Sequence, residues 1–194
     1  KMLDNLNKFD VILASSSPRR KELLQRLGID FKVRTLLGID ESYPAELKGE
    51  EIAKFIARKK AYDYRESMLP SELIITADTL VTLNGEELGK PHSVEDAKDM
   101  LHKLSGQVHE VSTGVCVFTK ERLENFVTTS KVTFAELSED EIEFYVEKYL
   151  PLDKAGAYGI QDWIGLAAVS SLEGSYYNVM GLPMQRLYSC LKTF

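Results

Sequence analysis

Hydrophobic positions along the chain follow two periods, one typical of strands and one typical of helices, and the two alternate. An apolar run at Val11–Ala14 predicts a first strand, and the leucines between Pro18 and Gly28 recur on one face of a helix. Alternating apolar residues from Ile29 to Val33 then predict a half-buried second strand. This strand-helix-strand opening favours an α/β fold.

The remaining elements are predicted in the same way. Helices are expected over Glu50–Glu66, Ser93–Leu104, Ser138–Tyr149 and the segment that begins at Pro183. Strands are expected over Leu73–Ala77, Thr79–Leu83, Glu86–Leu88, Val108–Thr119 and Asn125–Ala135, with a last strand pair around Glu173-Gly174. Because hairpins and crossovers both occur, we expect an α/β fold with a mixed twisted sheet and flanking helices. The chain of 194 residues is predicted to form a single domain over residues 1–194.

Charge and apolar content narrow the range of functions. The chain has 24 lysine and arginine residues against 30 aspartate and glutamate residues, a net charge of −6. Nucleic-acid binding usually relies on a basic face, so we expect no nucleic-acid partner. The longest apolar run, Ile164–Val169, is far shorter than a membrane span, and the first ten residues show no secretory signal. We therefore expect no membrane partner.

The cysteines and histidines show neither a disulfide pattern nor a metal-binding one. Cys116 and Cys190 are far apart and lack CxxC spacing, which predicts two reduced thiols and a cytoplasmic location. His92, His102 and His109 lack the spacing of zinc ligands, and we interpret them as surface or hydrogen-bonded residues.

The first candidate site is the serine-rich turn between the first strand and the first helix. Ser17 suits the N-cap and Pro18 the first helical position, while Ser15 adds a hydroxyl. A helix N-terminus offers unpaired N–H groups and a partial positive charge, and Arg19 and Arg20 add forked donors that match phosphate oxygens. The segment predicts an anion site, with an ordinary N-cap and solvated arginines as the alternative.

Lys60 interrupts the apolar face of the second predicted helix. It lies near the middle of the side formed by Ala53, Ile56 and Ala61. A lysine in that position either extends its ammonium group to solvent or meets an anion. We predict a functional anion, with an ion pair to Asp63 as the alternative.

Three carboxylates are candidates for catalysis or metal binding. Asp78 directly follows the predicted strand Leu73–Ala77, with Thr79 beside it. Ligands in α/β sheets bind beyond the carboxyl ends of strands, so Asp78 is a candidate catalytic residue, with a turn-forming aspartate as the alternative. The pair Asp40-Glu41 follows the second predicted strand and, with Asp78, could bind Mg²⁺ together with substrate phosphates, although a solvated loop is the alternative.

Two loop segments complete the candidate chemistry. Lys90 projects from a loop that Pro91 fixes, and the segment Asp153–Gln161 has small residues that let the backbone approach a ligand. The Gln161 amide can read a base edge, with a tight turn as the alternative interpretation of this segment. Together the segments predict a site that binds a phosphate-containing ligand and a divalent metal, with an amide that reads a base. Walker A and GxGxxG patterns are absent, so neither a P-loop NTPase nor a dinucleotide fold is supported.

Several motifs together resemble those of the Maf (septum-formation protein) family. They occur in the family's order: Leu13–Arg20, Ala77–Thr79, Gly89–Pro91, Asp153–Gln161, and Gly174–Val179 with Gly181–Pro183. The resemblance implies a nucleoside triphosphate pyrophosphatase that cleaves between the α and β phosphates with a divalent cation, Mg²⁺ or Mn²⁺/Co²⁺. It also implies an inosine triphosphatase-like fold, with two lobes around a deep cleft, and a homodimer.

The resemblance also assigns roles to individual residues. Its proton acceptor falls on Asp78, its acidic residue on Glu41 and its lysines on Lys60 and Lys90, with Glu41 and Asp78 as the metal ligands. The loop is one residue longer here than in the family, so Asp40 is an alternative to Glu41. The substrate-binding positions are Ser15, Ser17, Arg19, Arg20, Thr79 and Gln161, with Arg19 or Arg20 as the phosphate-binding arginine.

The string Lys154–Gln161 resembles the branch of the family that acts on dTTP and UTP. Two alternatives from other classes remain. One is a nucleotide-binding regulator of septum formation or cell division with little hydrolysis. The other is a nucleotidyl transferase that uses a sugar phosphate acceptor.

Overall fold

The computed structural model describes residues 2–194, so Lys1 lies outside the described residues. The strands are β1 Asp10–Leu13, β2 Lys32–Val33, β3 Glu72–Leu83, β4 Glu86–Leu88, β5 Val108–Phe118, β6 Leu123–Phe134 and β7 Val169–Glu173. The α-helices are α1 Pro18–Arg26, α2 Glu50–Arg65, α3 Val94–Leu104, α4 Glu139–Tyr149, α5 Trp163–Ala167, α6 Tyr176–Met180 and α7 Met184–Leu191. Short 3₁₀ helices cover Asp4–Lys8 and Ala155–Ala157.

The strands form one mixed sheet in the order β2-β1-β3-β5-β6-β7, with β4 paired to β3. β1 runs parallel to β2 and β3, whereas the other pairings are antiparallel. The predicted α/β fold with a mixed sheet and flanking helices is confirmed.

The middle of β3 has a strand partner on one edge only, and the unpaired edge faces the cleft described below. On one side, β5 pairs with β3 from Ile74 to Thr82. On the other side, β1 pairs only up to Ile75, and β4 begins its pairing at Val81. The intervening backbone of β3, which includes Asp78, therefore faces a cleft rather than another strand.

Helices cover both faces of the sheet because successive strand residues point to opposite sides. Val11 and Leu13 join the large core cluster formed with α1, α3, α4 and α7. Ile12 and Ala14 pack on the opposite face against Ala61 and other residues of α2. The same alternation along β3 directs Asp78 towards α2 and its neighbour Thr79 towards α1.

Three sequence predictions need correction. The second strand, predicted from Ile29 to Val33, contains only Lys32 and Val33, both exposed, because it is an edge strand paired to the four-residue β1. The predicted break at Asp78 is wrong, since β3 continues through it to Leu83 on its β5 pairing.

The last strand pair predicted around Glu173-Gly174 is also wrong, because β7 is followed by the helix α6. Gly174 has a φ of 123°, which turns the chain, and the Ser175 side chain accepts a hydrogen bond from the Asn178 N–H as an N-cap. The helices predicted over Glu50–Glu66, Ser93–Leu104 and Ser138–Tyr149 are confirmed within a residue. In the described part of the chain, every helix is too short or too polar to cross a membrane.

Candidate active site

A cleft of about 790 Å³ lies beside the open edge of β3. Ten residues with predicted site roles line it: Ser15, Ser17, Arg19, Arg20, Glu41, Lys60, Asp78, Thr79, Lys90 and Gln161. Asp40, the alternative to Glu41, does not line it. The ten residues come from the turn before α1, the first turn of α1, the loop before α2, α2 itself, β3, the loop after β4 and the turn after Ala157. Residues far apart in sequence therefore share one hollow.

The serine-rich turn adopts the predicted N-cap. The Ser17 Oγ accepts a hydrogen bond from the Arg20 N–H at 3.4 Å, and the Ser15 Oγ accepts one from the Ser17 N–H at 3.1 Å. Both hydroxyl groups keep their own hydrogens for a ligand. The turn thus joins the N-terminal end of α1 and two O–H donors at the cleft wall, an arrangement suited to an anion.

The two arginines at the start of α1 have different environments. Arg20 is held in the wall, where its Nε donates to the Gly181 carbonyl at 2.9 Å and an Nη donates to the Thr79 hydroxyl at 3.0 Å. Burial lowers the pKa of the Arg20 guanidinium, and the nearby Asp78 carboxylate opposes this shift. Thr79 lies 2.9 Å from the Thr113 hydroxyl, so Thr79 links Arg20 to β5.

Arg19 instead reaches across the cleft to the loop after α4. Its guanidinium lies 3.5 Å from one oxygen of Asp153, whose other oxygen accepts from Lys154 at 3.1 Å. One carboxylate thereby holds two cations at the cleft rim, where a polyanion can compete for them.

The chemical centre of the cleft is Asp78 with Lys60 and Glu41. The Lys60 ammonium lies 3.4 Å from an Asp78 oxygen and 3.2 Å from a Glu41 oxygen, and it donates to the Ala77 carbonyl at 3.2 Å. Burial raises the pKa of the Asp78 carboxyl, while the charges of Lys60 and Arg20 oppose this shift. A desolvated carboxylate of this kind binds a proton more readily than an exposed one.

The structure distinguishes the environments of Asp40 and Glu41. Asp40 accepts hydrogen bonds from the Ser42 N–H and from the Lys59 ammonium, both at 2.9 Å. The Ser42 N–H and the Lys59 ammonium lower the pKa of Asp40 to about 2. Glu41 lines the cleft and contacts Lys60. Lys60 therefore meets carboxylates of the cleft rather than Asp63, the alternative that the sequence offered.

Lys90 and Gln161 occupy loops on the far side of the cleft. Lys90 is exposed, and the buried Pro91 and a hydrogen bond from the Gly156 N–H to the Gly89 carbonyl, at 3.1 Å, fix its loop. Gln161 is also exposed, at the tip of a turn that closes with a hydrogen bond from the Asp162 N–H to the Gly159 carbonyl at 3.0 Å.

Lys154 and Asp153 are cleft residues that the sequence pattern did not predict individually, although their segment stood out. Both line the cleft, and only 14% of the Lys154 side chain is exposed. The available signal was a lysine next to an aspartate at the start of a run of small residues, a position where backbone and ligand can approach closely.

His109 departs from the expected surface or fully hydrogen-bonded state. It is buried, and its Nε2 lies 2.6 Å from the hydroxyl of Tyr158, which lines the cleft. Its Nδ1 is buried without a hydrogen-bond partner among residues 2–194. Burial lowers the pKa of His109 to about 4, so the ring is neutral near pH 7.

The fold and the cleft together define a class of α/β protein with a polyphosphate-type site. In this class, the open edge of a mixed sheet carries a desolvated carboxylate surrounded by cations. The profile of the Maf-like protein family matches residues 10–194, and the chain belongs to that family.

Comparison with known proteins gives the nearer relatives. The chain is 58% identical to proteins named dTTP/UTP pyrophosphatase from Phocaeicola vulgatus and from Bacteroides thetaiotaomicron, over 98% of this chain and 99% of each relative. A protein of the same name from Parabacteroides distasonis is 52% identical over the full length of both chains. Among solved structures, a HAM1 protein from Coxiella burnetii superposes with a TM-score of 0.50, covering 96% of this chain and 100% of that one. At 15% identity, that likeness describes the fold alone.

Proposed function

We propose that the protein is a nucleoside triphosphate pyrophosphatase that hydrolyses dTTP and UTP to the monophosphate and pyrophosphate. The observation that carries this proposal is the desolvated Asp78 carboxylate in a cleft that also holds Lys60, Arg20 and Lys90. The names of relatives at 52–58% identity support the substrate class. The fold alone would not, because one fold hosts many chemistries.

The triphosphate is bound by the cations and by the turn before α1. Arg19, Lys60 and Lys90 neutralise phosphate charge, and the Ser15 and Ser17 hydroxyl groups donate to phosphate oxygens. Substrate competes with Asp153 for Arg19 and with Glu41 for Lys60. Because phosphoryl transfer depends mainly on positioning and charge neutralisation, this set of donors does most of the catalytic work.

Asp78 accepts the proton of the attacking water. Its burial favours this role, since a carboxylate with a raised pKa is the stronger base. Attack at phosphorus breaks the anhydride between the α and β phosphates, and pyrophosphate leaves with the electron pair of that bond.

The residues present fit a divalent cation that arrives with the nucleotide. The Glu41 and Asp78 carboxylates each have an oxygen within 3.4 Å of the Lys60 ammonium, so the two carboxylates converge on one region of the cleft. Among residues 2–194 no cluster of three metal-ligating side chains forms, and Mg²⁺ commonly takes one or two carboxylates plus phosphate oxygens. When bound, Mg²⁺, Mn²⁺ or Co²⁺ would be held by Glu41 and Asp78 and would neutralise charge on the phosphates.

The proposal extends to the setting of the enzyme. The free thiols of Cys116 and Cys190 favour a reducing compartment, and we propose a cytoplasmic enzyme. We further propose that the chain works as a single domain of two lobes, in a homodimer, without nucleic-acid or membrane partners.

The decisive experiment is a panel of nucleoside triphosphates with Mg²⁺, in which both products are identified. Monophosphate and pyrophosphate from dTTP and UTP support the proposal. Binding without turnover would favour the nucleotide-binding regulator, and a nucleotide-sugar formed with a sugar phosphate would favour the transferase.

The Asp78→Asn variant tests the catalytic assignment. Loss of the general base is expected to lower kcat at least ~100-fold while the unfolding temperature stays near that of the wild type. Asp63→Asn, an exposed aspartate on α2, is the matched control and should keep full activity. Near-complete activity of Asp78→Asn would refute the role of Asp78.

A further inference from the structure

A buried hydroxyl group makes two hydrogen bonds to the turn that carries Gln161. Tyr145 of α4 is fully buried, and its hydroxyl donates to the Asp162 carboxylate at 2.8 Å and accepts from the Gly159 N–H at 3.0 Å. One hydroxyl thus bridges the first and last residues of the turn Gly159–Asp162. The turn's own backbone hydrogen bond joins the same two residues.

Gly159 forms the surface on which the Gln161 amide rests. A β-carbon at Gly159 would lie 2.9 Å from the Gln161 Nε2, 2.8 Å from the Lys154 Cε and 3.0 Å from an Asp162 oxygen. These three atoms are the ends of flexible side chains that pack against the Gly159 backbone. A shift of the turn would therefore move the Gln161 amide, which the turn carries, and the backbone surface that the Lys154 side chain contacts.

Tyr145 does not line the cleft, and its hydroxyl meets the turn that does. Its ring stacks on Tyr149 with centroids 5.0 Å apart and belongs to the large core cluster. Burial raises the pKa of its hydroxyl, which therefore stays protonated and keeps donating to Asp162. Tyr145 is accordingly a candidate for positioning rather than for contact with substrate.

A fixed amide matters for the choice of base. The edge of uracil or thymine offers an N–H donor beside a carbonyl acceptor, whereas cytosine offers an acceptor beside an amino donor. A carboxamide has one donor side and one acceptor side, so it pairs with either edge if its end can rotate by 180°. A turn held in one place limits where the amide can meet the base, and a mobile turn would let the amide adapt to either edge.

We propose that the Tyr145 hydroxyl is a positioning group that sets base selectivity by holding the Gly159–Asp162 turn and, through it, the Gln161 amide. This inference rests on the proposed function, in which Gln161 reads a uracil or thymine edge. It adds a residue of the helical core to the determinants of specificity.

The test measures kcat and KM of Tyr145→Phe for UTP, dTTP and CTP, with thermal unfolding alongside. Loss of one positioning hydrogen bond is expected to raise KM for UTP and dTTP about 10-fold and to leave kcat within about threefold. The ratio of kcat/KM for UTP to that for CTP should fall about 10-fold. Tyr149→Phe, which alters the stacked neighbour, should keep the wild-type ratio.

The partner of the hydroxyl provides a second, independent test. Asp162→Ala removes the acceptor and should reproduce the loss of selectivity, whereas Asp162→Asn keeps an oxygen acceptor and should restore most of it. This pair decides the question if Tyr145→Phe does not fold.

An unchanged UTP-to-CTP ratio in folded Tyr145→Phe would overturn the proposal, as would an equal loss for all three nucleotides. If the wild-type protein releases no pyrophosphate, the proposed function fails instead. In that case, the affinities of wild-type protein and Tyr145→Phe for UTP and CTP are compared instead. A wild-type protein that binds UTP and CTP equally would overturn the proposed role of Tyr145.

Discussion

At the scale of single residues, Asp40 and Glu41 are neighbours in sequence with different partners. Lys59 and Ser42 hold Asp40, whereas Glu41 faces Lys60 in the cleft. We expect Glu41→Gln to lower kcat/KM for UTP at least ~10-fold, because one of the two carboxylates proposed to hold the divalent cation is lost. Asp40→Asn should stay within about twofold of the wild type.

Steady-state kinetics over a range of Mg²⁺ concentrations checks this prediction. Glu41→Gln should also need more Mg²⁺ for half-maximal activity, whereas Asp40→Asn should not. The reverse pattern would assign the acidic role to Asp40.

His109 predicts a pH dependence of stability. Its pKa is about 4 in the folded chain against an ordinary value of 6.5, so the unfolded chain binds more protons between these values. The free energy of unfolding should therefore fall as pH drops below 6.5 and level off near 4. By pH 4 the free energy of unfolding should have fallen by about 3 kcal/mol from this residue alone.

Urea unfolding at several pH values between 4 and 7 tests the role of His109. His109→Gln should start from a lower stability and lose less between pH 6.5 and 4. His102→Gln is the matched control, because the Glu139 carboxylate raises the pKa of that exposed ring. Equal slopes for the wild type and His109→Gln would contradict the assignment.

The residues that sequence alone predicted are those with a local signal. Ser17 and Arg19 stand at a helix start, and Lys60 interrupts an apolar face, so each pattern points to an anion without knowledge of the fold. Tyr145 carries no such signal, because an aromatic residue at a core position of a helix looks like packing. Its role depends on two residues of another segment, and only the tertiary structure brings them together.

At the scale of elements, the approach of α2 to β5 determines where Lys60 lies. Gly114 of β5 pairs with Asp78 of β3, and a β-carbon there would lie 2.1 Å from the Ala53 carbonyl oxygen of α2. The absent side chain lets the helix lie close enough for Lys60 to reach Asp78.

We expect Gly114→Ala to lower the free energy of unfolding by about 3 kcal/mol, since the clash is with backbone and α2 must move. Because Lys60 moves with the helix, kcat should fall as well. Urea denaturation and UTP kinetics check both effects. Gly89→Ala, with open space around its α-carbon, is the control for stability. A neutral Gly114→Ala would show that α2 is free to adjust.

The errors of the sequence interpretation also arise at this scale. The periodicity predicted the long strands and helices because each buries a continuous face. It failed at β2 and α6, where edge position and a cap decide the structure over a few residues. It also broke β3 at Asp78, because a charge within a buried strand looks like a strand end when the cleft beside it is unknown.

At the scale of the whole molecule, an acidic chain presents a locally cationic cleft. The net charge is −6, yet the described cleft residues include five cations, Arg19, Arg20, Lys60, Lys90 and Lys154, against four carboxylates, Glu41, Asp78, Glu87 and Asp153. Under the proposed function, a compact polyanion would be attracted to the cleft, whereas the acidic remainder of the surface would repel a long nucleic acid. The distribution of charge would then favour small triphosphates over nucleic acid.

Ligand-induced stabilisation tests this distribution without turnover. A UTP analogue that cannot be cleaved between the α and β phosphates, at 100 times its Kd, should add about 2.7 kcal/mol to the stability of the folded chain. For a chain of this length, this corresponds to a rise in Tm of about 5–10 °C.

The double variant Lys60→Ala, Lys90→Ala should lose most of the rise in Tm. Lys59→Ala, which removes an ammonium group that binds Asp40, should keep it. Because the attraction is electrostatic, added salt should reduce the rise, and duplex DNA should produce none. A Tm that rises equally with DNA would mean that the acidic surface does not exclude nucleic acid.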